Sequence, residues 1–170
     1  MTPSDWKIDQ NKILTREEIA EVLDDLKHRG RRSVNSRQNL IIFRLATCAG
    51  LRASEIAGLT IQNIKLGGKK PNVYIPKAIA KRKKQRSVPI WWDRGTLDDI
   101  TAWRDERRDQ GGESGDFFVC AQSKSTLGLK LNRINVRNRF QVACRVLGEE
   151  RLVIGQEEYS EEALKHGKSY

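Results

Sequence analysis

Apolar residues in the first part of the chain recur at the three- to four-residue spacing of amphipathic helices. Thr15 followed by Glu18 has the pattern of a capping box, and the apolar positions after it predict a helix that ends near Gly30. A second segment, about residues 36–49, is apolar on most sides, so we expect a helix that lies in the core. Gly50 then occupies the position after a helix end, where a left-handed backbone is easiest for glycine.

The pattern changes towards the middle of the chain. A short helix is predicted over residues 53–58, and two strands are predicted at residues 72–76 and 86–90. The intervening residues contain a run of cations, so we expect a β-hairpin with a basic tip. Further segments are predicted as helices at about 96–109 and 133–147, and as a strand or core plug at 117–119. The predicted fold is α+β, mainly helical, with a small antiparallel β-sheet or hairpin on one side.

Two adjacent tryptophans, Trp91 and Trp92, directly follow the second predicted strand. We expect one of the two rings to lie in the core. Stacking of the other ring on a nucleic-acid base is an alternative use for an exposed indole.

The composition adds a strong positive charge to this picture. The chain has 170 residues and a formal net charge of +10. Its length fits one domain, residues 13–170, preceded by a linker or tail at residues 1–12. A positive surplus favours a polyanionic partner, because each neutralised phosphate releases counterions. We therefore expect a nucleic acid as the partner.

Cysteine, histidine and apolar content exclude other classes. Three widely spaced cysteines and two histidines form no zinc-binding pattern, so no metal or cofactor is expected. No apolar run approaches the roughly 20 residues that cross a bilayer. The expected protein is cytoplasmic and not bound to a membrane.

Two segments carry the candidate chemistry. Residues 50–59 read Gly-Leu-Arg-Ala-Ser-Glu-Ile-Ala-Gly-Leu, which places Arg52 at a helix junction and Glu55 one turn later. A guanidinium held there suits phosphate binding, because its rigid fork of donors matches phosphate oxygens. Residues 81–90 read Lys-Arg-Lys-Lys-Gln-Arg-Ser-Val-Pro-Ile. The plainer alternatives are an ordinary surface ion pair for the first segment and a solvated basic loop for the second.

In this order, the two segments resemble the signature of the tyrosine recombinases, or phage-type integrases, over about residues 13–148. The resemblance implies a tyrosine-recombinase catalytic-domain-like fold, truncated at the C-terminus. It implies that Arg52 stabilises the charge on the scissile phosphate in the transition state, supported by Glu55. It also implies that Lys81 is the general acid that protonates the leaving 5′-oxygen.

Other basic residues complete the expected site. Lys83 and Lys84 are alternatives for the general acid, because sequence alone does not set the register of a hairpin. The residues expected to bind DNA lie in the hairpin and in the turn after the first helix: Arg82, Lys83, Lys84, Arg86, Arg31 and Arg32.

The later motifs of the family find no match. They comprise a His-x-x-Arg and, well downstream, a nucleophilic tyrosine. His166 is followed at the third position by Ser169, so it does not match. Tyr74, Tyr159 and Tyr170 all precede the place where the nucleophile would stand.

The resemblance thus predicts a parent protein for DNA integration or site-specific recombination. The parent would cleave and rejoin strands through a phosphotyrosine intermediate, alongside other recombinase protomers in a synaptic complex. This chain is predicted to be the amino-terminal part of that catalytic domain. The resemblance implies that this part binds double-stranded DNA without cleaving it. A non-enzymatic DNA-binding module or regulator is the alternative.

Overall fold

Five α-helices and a three-stranded antiparallel sheet form the described part of the chain, residues 13–148 of a computed structural model. This arrangement confirms the predicted mainly helical α+β class with a small sheet. The predicted tail at residues 1–12 lies outside the described residues, as do residues 149–170. The elements are α1 (Arg16–Gly30), α2 (Val34–Thr47), α3 (Ala53–Gly58), β1 (Ile64–Lys65), β2 (Asn72–Ile75), β3 (Arg86–Pro89), α4 (Arg94–Asp109) and α5 (Arg133–Ala143).

Capping side chains explain where the first two helices begin. The Thr15 hydroxyl accepts a hydrogen bond from the Glu18 N–H, and the Glu18 carboxylate accepts one from the Thr15 N–H, which confirms the capping box. Helix α2 begins two residues earlier than predicted, because the hydroxyl of Ser33 accepts from the N–H of Ser36.

The end of the last helix and the number of strands also differ from the prediction. Helix α5 is α-helical only to Ala143, and Cys144–Leu147 continues it as a 3₁₀-helix. Strand β1 was not predicted, because two residues are too few to show an alternating pattern. It pairs with β2 through Ile64 and Val73 and completes the sheet order β1-β2-β3.

Helix α2 is the centre of the domain and contacts α1, α3, α4 and α5. Residues on nearly all its sides are buried, as predicted for a core helix. Phe43 stacks on Phe140 of α5 with ring centroids 5.3 Å apart. Buried Arg44 donates from Nε to Asp99 of α4 at 2.9 Å, so an ion pair fixes α4 against α2.

Residues 117–119 form a core plug. Phe118 and Val119 are fully buried, and the Phe118 N–H donates to the carbonyl of Leu59 at 2.8 Å. The indole N–H of Trp103 in α4 donates to the Phe118 carbonyl at 2.8 Å. The segment makes one isolated bridge, between Phe117 and Thr60, and joins no strand of the sheet.

The expectation that Trp91 or Trp92 enters the core is wrong. The two residues are 52% and 58% exposed. The preceding Ile90, 1% exposed, fills the core position at this end of β3, and the chain then turns outward into α4.

Within residues 13–148, no helix combines the length and the apolar character needed to cross a bilayer.

Candidate active site

Arg52 lies at a sharply defined junction between α2 and α3. Gly50 adopts a left-handed backbone with φ +64°, and the Leu51 N–H donates back to the Leu45 carbonyl at 2.9 Å. This closure ends α2 in the manner of a Schellman motif. Arg52 then occupies the position before the first residue of α3, with 54% of its side chain exposed. The predicted phosphate-binding arginine is therefore anchored by its backbone and accessible through its guanidinium.

Glu55 is completely buried beneath this junction and joins two arginines. Its Oε2 accepts from the backbone N–H of Arg52 at 3.0 Å. Both of its oxygens accept from the Arg86 guanidinium, each at 2.8 Å. The guanidinium of Arg52 lies farther away, with Nη1 3.6 Å from Oε1. Glu55 thus holds Arg52 mainly through its backbone and forms a fork-to-fork ion pair with Arg86.

This geometry changes the interpretation of Arg86. Sequence analysis placed it among the residues expected to bind DNA, whereas its guanidinium bonds to the buried carboxylate. Arg86 begins β3 and stands opposite Ile75 of β2. This end of the sheet carries the basic loop, residues 76–85, which contains the basic tip. The ion pair therefore ties the root of the basic loop to the helix that follows Arg52.

The ion pair also sets the charge state of the carboxylate. Hydrogen bonds from Arg86 lower the pKa of Glu55 from 4.5 to about 2, against the opposing effect of burial. The hydrogen bond from the backbone N–H of Arg52 contributes to this lowering of the Glu55 pKa. The same hydrogen bonds raise the pKa of Arg86 above its ordinary value. Glu55 is therefore ionised wherever the protein is folded near neutral pH.

We expect acid to weaken the fold through Glu55. Its folded pKa is below its unfolded one, so its stabilising contribution is complete above about pH 4.5 and disappears as the pH falls to about 2. Urea unfolding across this range should give a falling free energy of unfolding for the wild type. Glu55→Gln should remove part of that slope. Glu21→Gln, at an exposed position of α1, is the control, and an unchanged slope in Glu55→Gln would contradict the assignment.

The loop that carries the predicted general acid folds back onto α3. The N–H groups of Ile79 and Ala80 both donate to the Pro76 carbonyl at 3.1 Å, which forms a tight turn. The Ile79 side chain lies on Gly58 at the end of α3, where an added Cβ would be 2.6 Å from Ile79 Cγ2. Ala80 is buried next to this contact. The residue before Lys81 is thus fixed in the core.

The basic tip itself has an unusual backbone. Lys81–Lys83 forms a short 3₁₀ turn, closed by a hydrogen bond from the Lys83 N–H to the Ala80 carbonyl at 3.1 Å. Within it, Arg82 and Lys83 have left-handed backbones with φ of 59° and 54°. Such conformations cost about 1–2 kcal/mol per non-glycine residue and concentrate at sites of ligand contact. Lys81 to Lys84 are all exposed.

Arg31 and Arg32 belong to a different part of the surface. Both are exposed in the turn after α1, before the start of α2. Arg52 follows the other end of this helix, whose 14 residues span about 20 Å. The structure therefore brings Arg52, Glu55 and Arg86 together, places the Lys81 loop against the same helix α3, and leaves Arg31 and Arg32 apart.

Two cations that were not predicted lie beside α3, the helix that follows Arg52. A pocket of about 370 Å³ lies between α3 and the start of α5. It is lined by Ser54, Ala57, Lys130, Leu131, Asn132 and Arg133. Basic residues before and within the predicted last helix were the available signal, but only the packing of α5 on α3 places them beside α3.

The candidate nucleophiles find no place at this site among the described residues. Tyr74 lies in β2, and its hydroxyl donates to Gln85 Oε1 at 3.3 Å. Tyr159, Tyr170 and His166 lie outside the described residues. Residues 13–148 contain no group of three or more His, Cys, Asp or Glu side chains placed to hold a metal ion.

The mainly helical α+β fold and the exposed arginine and lysines are those expected of a domain of the integrase type. The family model described as the phage integrase family matches residues 12–166, which is most of the chain. The protein belongs to this family, whose members are tyrosine recombinases that act in DNA recombination, and the predicted resemblance is confirmed. No curated protein matches the sequence.

Proposed function

We propose that this chain supplies part of the active site for strand cleavage in a site-specific DNA recombinase or integrase. Its substrate would be the double-stranded DNA of a chromosome, a phage genome or another mobile element, so it would act inside the cell. Several protomers would assemble on this DNA. Family membership and the net charge of +10 support a DNA substrate.

Each residue has a defined role in the proposed reaction. A tyrosine oxygen attacks the phosphorus, a 3′-phosphotyrosyl bond forms, and the bond to the 5′-oxygen breaks. Arg52 would bind the phosphate oxygens as their charge increases in the transition state. Lys81 would give its proton to the departing 5′-oxygen, which leaves as a hydroxyl. Exposed Arg82, Lys83 and Lys84, with Lys130 and Arg133, would bind neighbouring phosphates.

One observation carries the proposal: Glu55 connects the two candidate segments. The carboxylate binds the backbone of Arg52 and the guanidinium of Arg86, which lie 34 residues apart in sequence. A second contact, between Ile79 and Gly58, fixes the other side of the basic loop to α3. The loop and the arginine are therefore held by the same short helix, as a shared phosphate site requires.

The nucleophile would come from elsewhere in the parent protein. After residue 90, the chain contains no His-x-x-Arg followed by a tyrosine. Purified residues 1–170 should therefore bind supercoiled plasmid, more weakly as salt increases, without nicking it. A longer product of the same gene that includes such a tyrosine should nick. Nicking activity that co-purifies with residues 1–170 would contradict the proposal that the nucleophile lies elsewhere. A failure to bind plasmid at low salt would contradict the proposed action on DNA.

A substrate with a different leaving group tests whether Lys81, rather than Lys83 or Lys84, is the general acid. In a protein that carries the nucleophile, Lys81→Ala should slow cleavage by about 10²- to 10⁴-fold. A substrate with sulfur in place of the scissile 5′-oxygen should restore most of the rate, because a thiolate leaves without protonation. Lys83→Ala and Lys84→Ala are the matched controls and should weaken DNA binding instead. If the sulfur substrate restored the cleavage rate of either control but not of Lys81→Ala, the general acid would be that other lysine.

A further inference from the structure

The end of the sheet opposite the basic tip carries an aromatic surface that the proposed reaction does not use. Trp91 and Trp92 are adjacent there and are 52% and 58% exposed. The indole N–H of Trp92 donates to the Pro89 carbonyl at 3.0 Å, which fixes this ring to its own backbone. With its one donor occupied, the ring offers a partner only its aromatic surface.

The sheet pairing brings the backbone that carries two lysines close to the chain that leads into the tryptophans. The Ile90 N–H donates to the Pro71 carbonyl at 3.1 Å, which continues the β2–β3 pairing beyond the strands. This contact brings Lys69 and Lys70, which directly precede Pro71, next to the chain that enters Trp91. The side-chain N–H of Asn72 donates to the Lys70 carbonyl at 3.1 Å and holds this segment.

The two lysines give this surface a positive charge. Lys69 and Lys70 are exposed, and neither pairs with a carboxylate of residues 13–148. The first two carboxylates after Trp92 in the sequence have other partners: Asp93 lies against Arg44, and Asp98 binds Arg94. A partner for this surface therefore needs negative charge together with flat or apolar groups.

We propose that Trp91, Trp92, Lys69 and Lys70, the tryptophan–lysine surface, bind single-stranded DNA. Sites for unpaired strands combine cations that follow the phosphates with aromatic rings on which bases stack. Protein–protein interfaces, by contrast, are enriched in tryptophan but depleted in lysine, so an acidic protein is the less fitting partner. A duplex offers no free base faces to the rings. The surface would thus hold a strand that has separated from its complement.

The test measures binding of a labelled oligothymidylate of about 10 nucleotides to residues 1–170 by fluorescence anisotropy at low salt. Trp91→Ala and Trp92→Ala should each raise Kd by about 5-fold or more, because one stacked base is worth at least about 1 kcal/mol. Lys69→Glu with Lys70→Glu should raise Kd further and flatten its salt dependence. Trp91→Phe with Trp92→Phe should retain most of the binding, since phenylalanine also stacks.

Two controls make the result decisive. Lys83→Ala with Lys84→Ala, at the basic tip, should weaken duplex binding by a larger factor than oligothymidylate binding. Thermal unfolding of the tryptophan variants should match that of the wild type, because both rings are more than half exposed. Oligothymidylate binding that depends on the tip and not on the tryptophans would overturn the proposal. So would tryptophan-dependent binding of a leucine-containing oligoglutamate peptide without binding of the oligonucleotide.

Discussion

Arg52→Ala, in a form of the protein that carries the nucleophile, is expected to lower the rate of strand cleavage by roughly 10³-fold or more. The Arg52 guanidinium presents a rigid fork of donors that matches the oxygens of a phosphate with increasing negative charge. Removing it takes away stabilisation of the transition state, while many other cations remain to bind the DNA. Duplex affinity should therefore fall only a few-fold.

The structure explains why the same change should leave the fold intact. The side chain of Arg52 is 54% exposed and approaches Glu55 no closer than 3.6 Å, whereas its backbone N–H makes the hydrogen bond at 3.0 Å. That bond survives truncation to alanine. The free energy of unfolding should change by less than about 1 kcal/mol, as for an exposed ion pair.

The measurements are single-turnover cleavage of a suicide substrate, duplex binding and urea unfolding on the same preparations. Arg108→Ala, at an exposed position of α4, is the matched control and should leave all three unchanged. Arg52→Lys should recover little activity, because an ammonium lacks the planar fork. If duplex binding fell in parallel with cleavage, Arg52 would be a docking residue and the proposed role in catalysis would be wrong.

The predictions that held were those that depend on neighbours in sequence. Thr15 and Glu18 cap the same turn of one helix, and Gly50 follows α2 at the position where glycine is favoured. These signals lie within three or four residues of the structure that they specify. For this reason the helices, the hairpin and the position of Arg52 at a junction could be predicted from the sequence.

The features that escaped prediction depend on contacts between distant segments. Glu55 and Arg86 are separated by 31 residues, and no local pattern shows that Arg86 turns inwards to the carboxylate. The contact of Ile79 with Gly58 is equally non-local, yet it determines where the basic loop lies. The expected burial of Trp91 or Trp92 was wrong, because the preceding Ile90 fills the core position.

The second large effect is expected from breaking the Glu55–Arg86 pair on one side only. Arg86→Met leaves a completely buried carboxylate without its main partner, which should cost about 3 kcal/mol of unfolding free energy at neutral pH. We use the lower end of the usual range, because the Arg86 side chain is 34% exposed and partly screened by water. Arg86→Lys should lower the free energy of unfolding less, since it keeps the positive charge and loses only the bidentate hydrogen bonding.

A double-mutant cycle tests whether this energy belongs to the pair. Glu55→Met combined with Arg86→Met removes both charges, so the double variant should be more stable than Arg86→Met alone. Arg94 and Asp98 on α4 supply a matched control pair, with side chains 86% and 59% exposed, and their coupling should be only a few tenths of a kcal/mol. Additive losses at Glu55 and Arg86 would show that the two residues do not act through each other.

The same variants separate stability from alignment of the site. The Arg86 guanidinium is bonded to Glu55, so its effect on cleavage would pass through this carboxylate and the start of the basic loop. In a form of the protein that carries the nucleophile, Arg86→Lys should remain folded while its cleavage rate falls. A substrate with a sulfur leaving group should restore much of that rate if the displaced group is Lys81. A loss of rate that sulfur does not reduce would instead place the damage at Arg52, whose backbone rests on the same carboxylate.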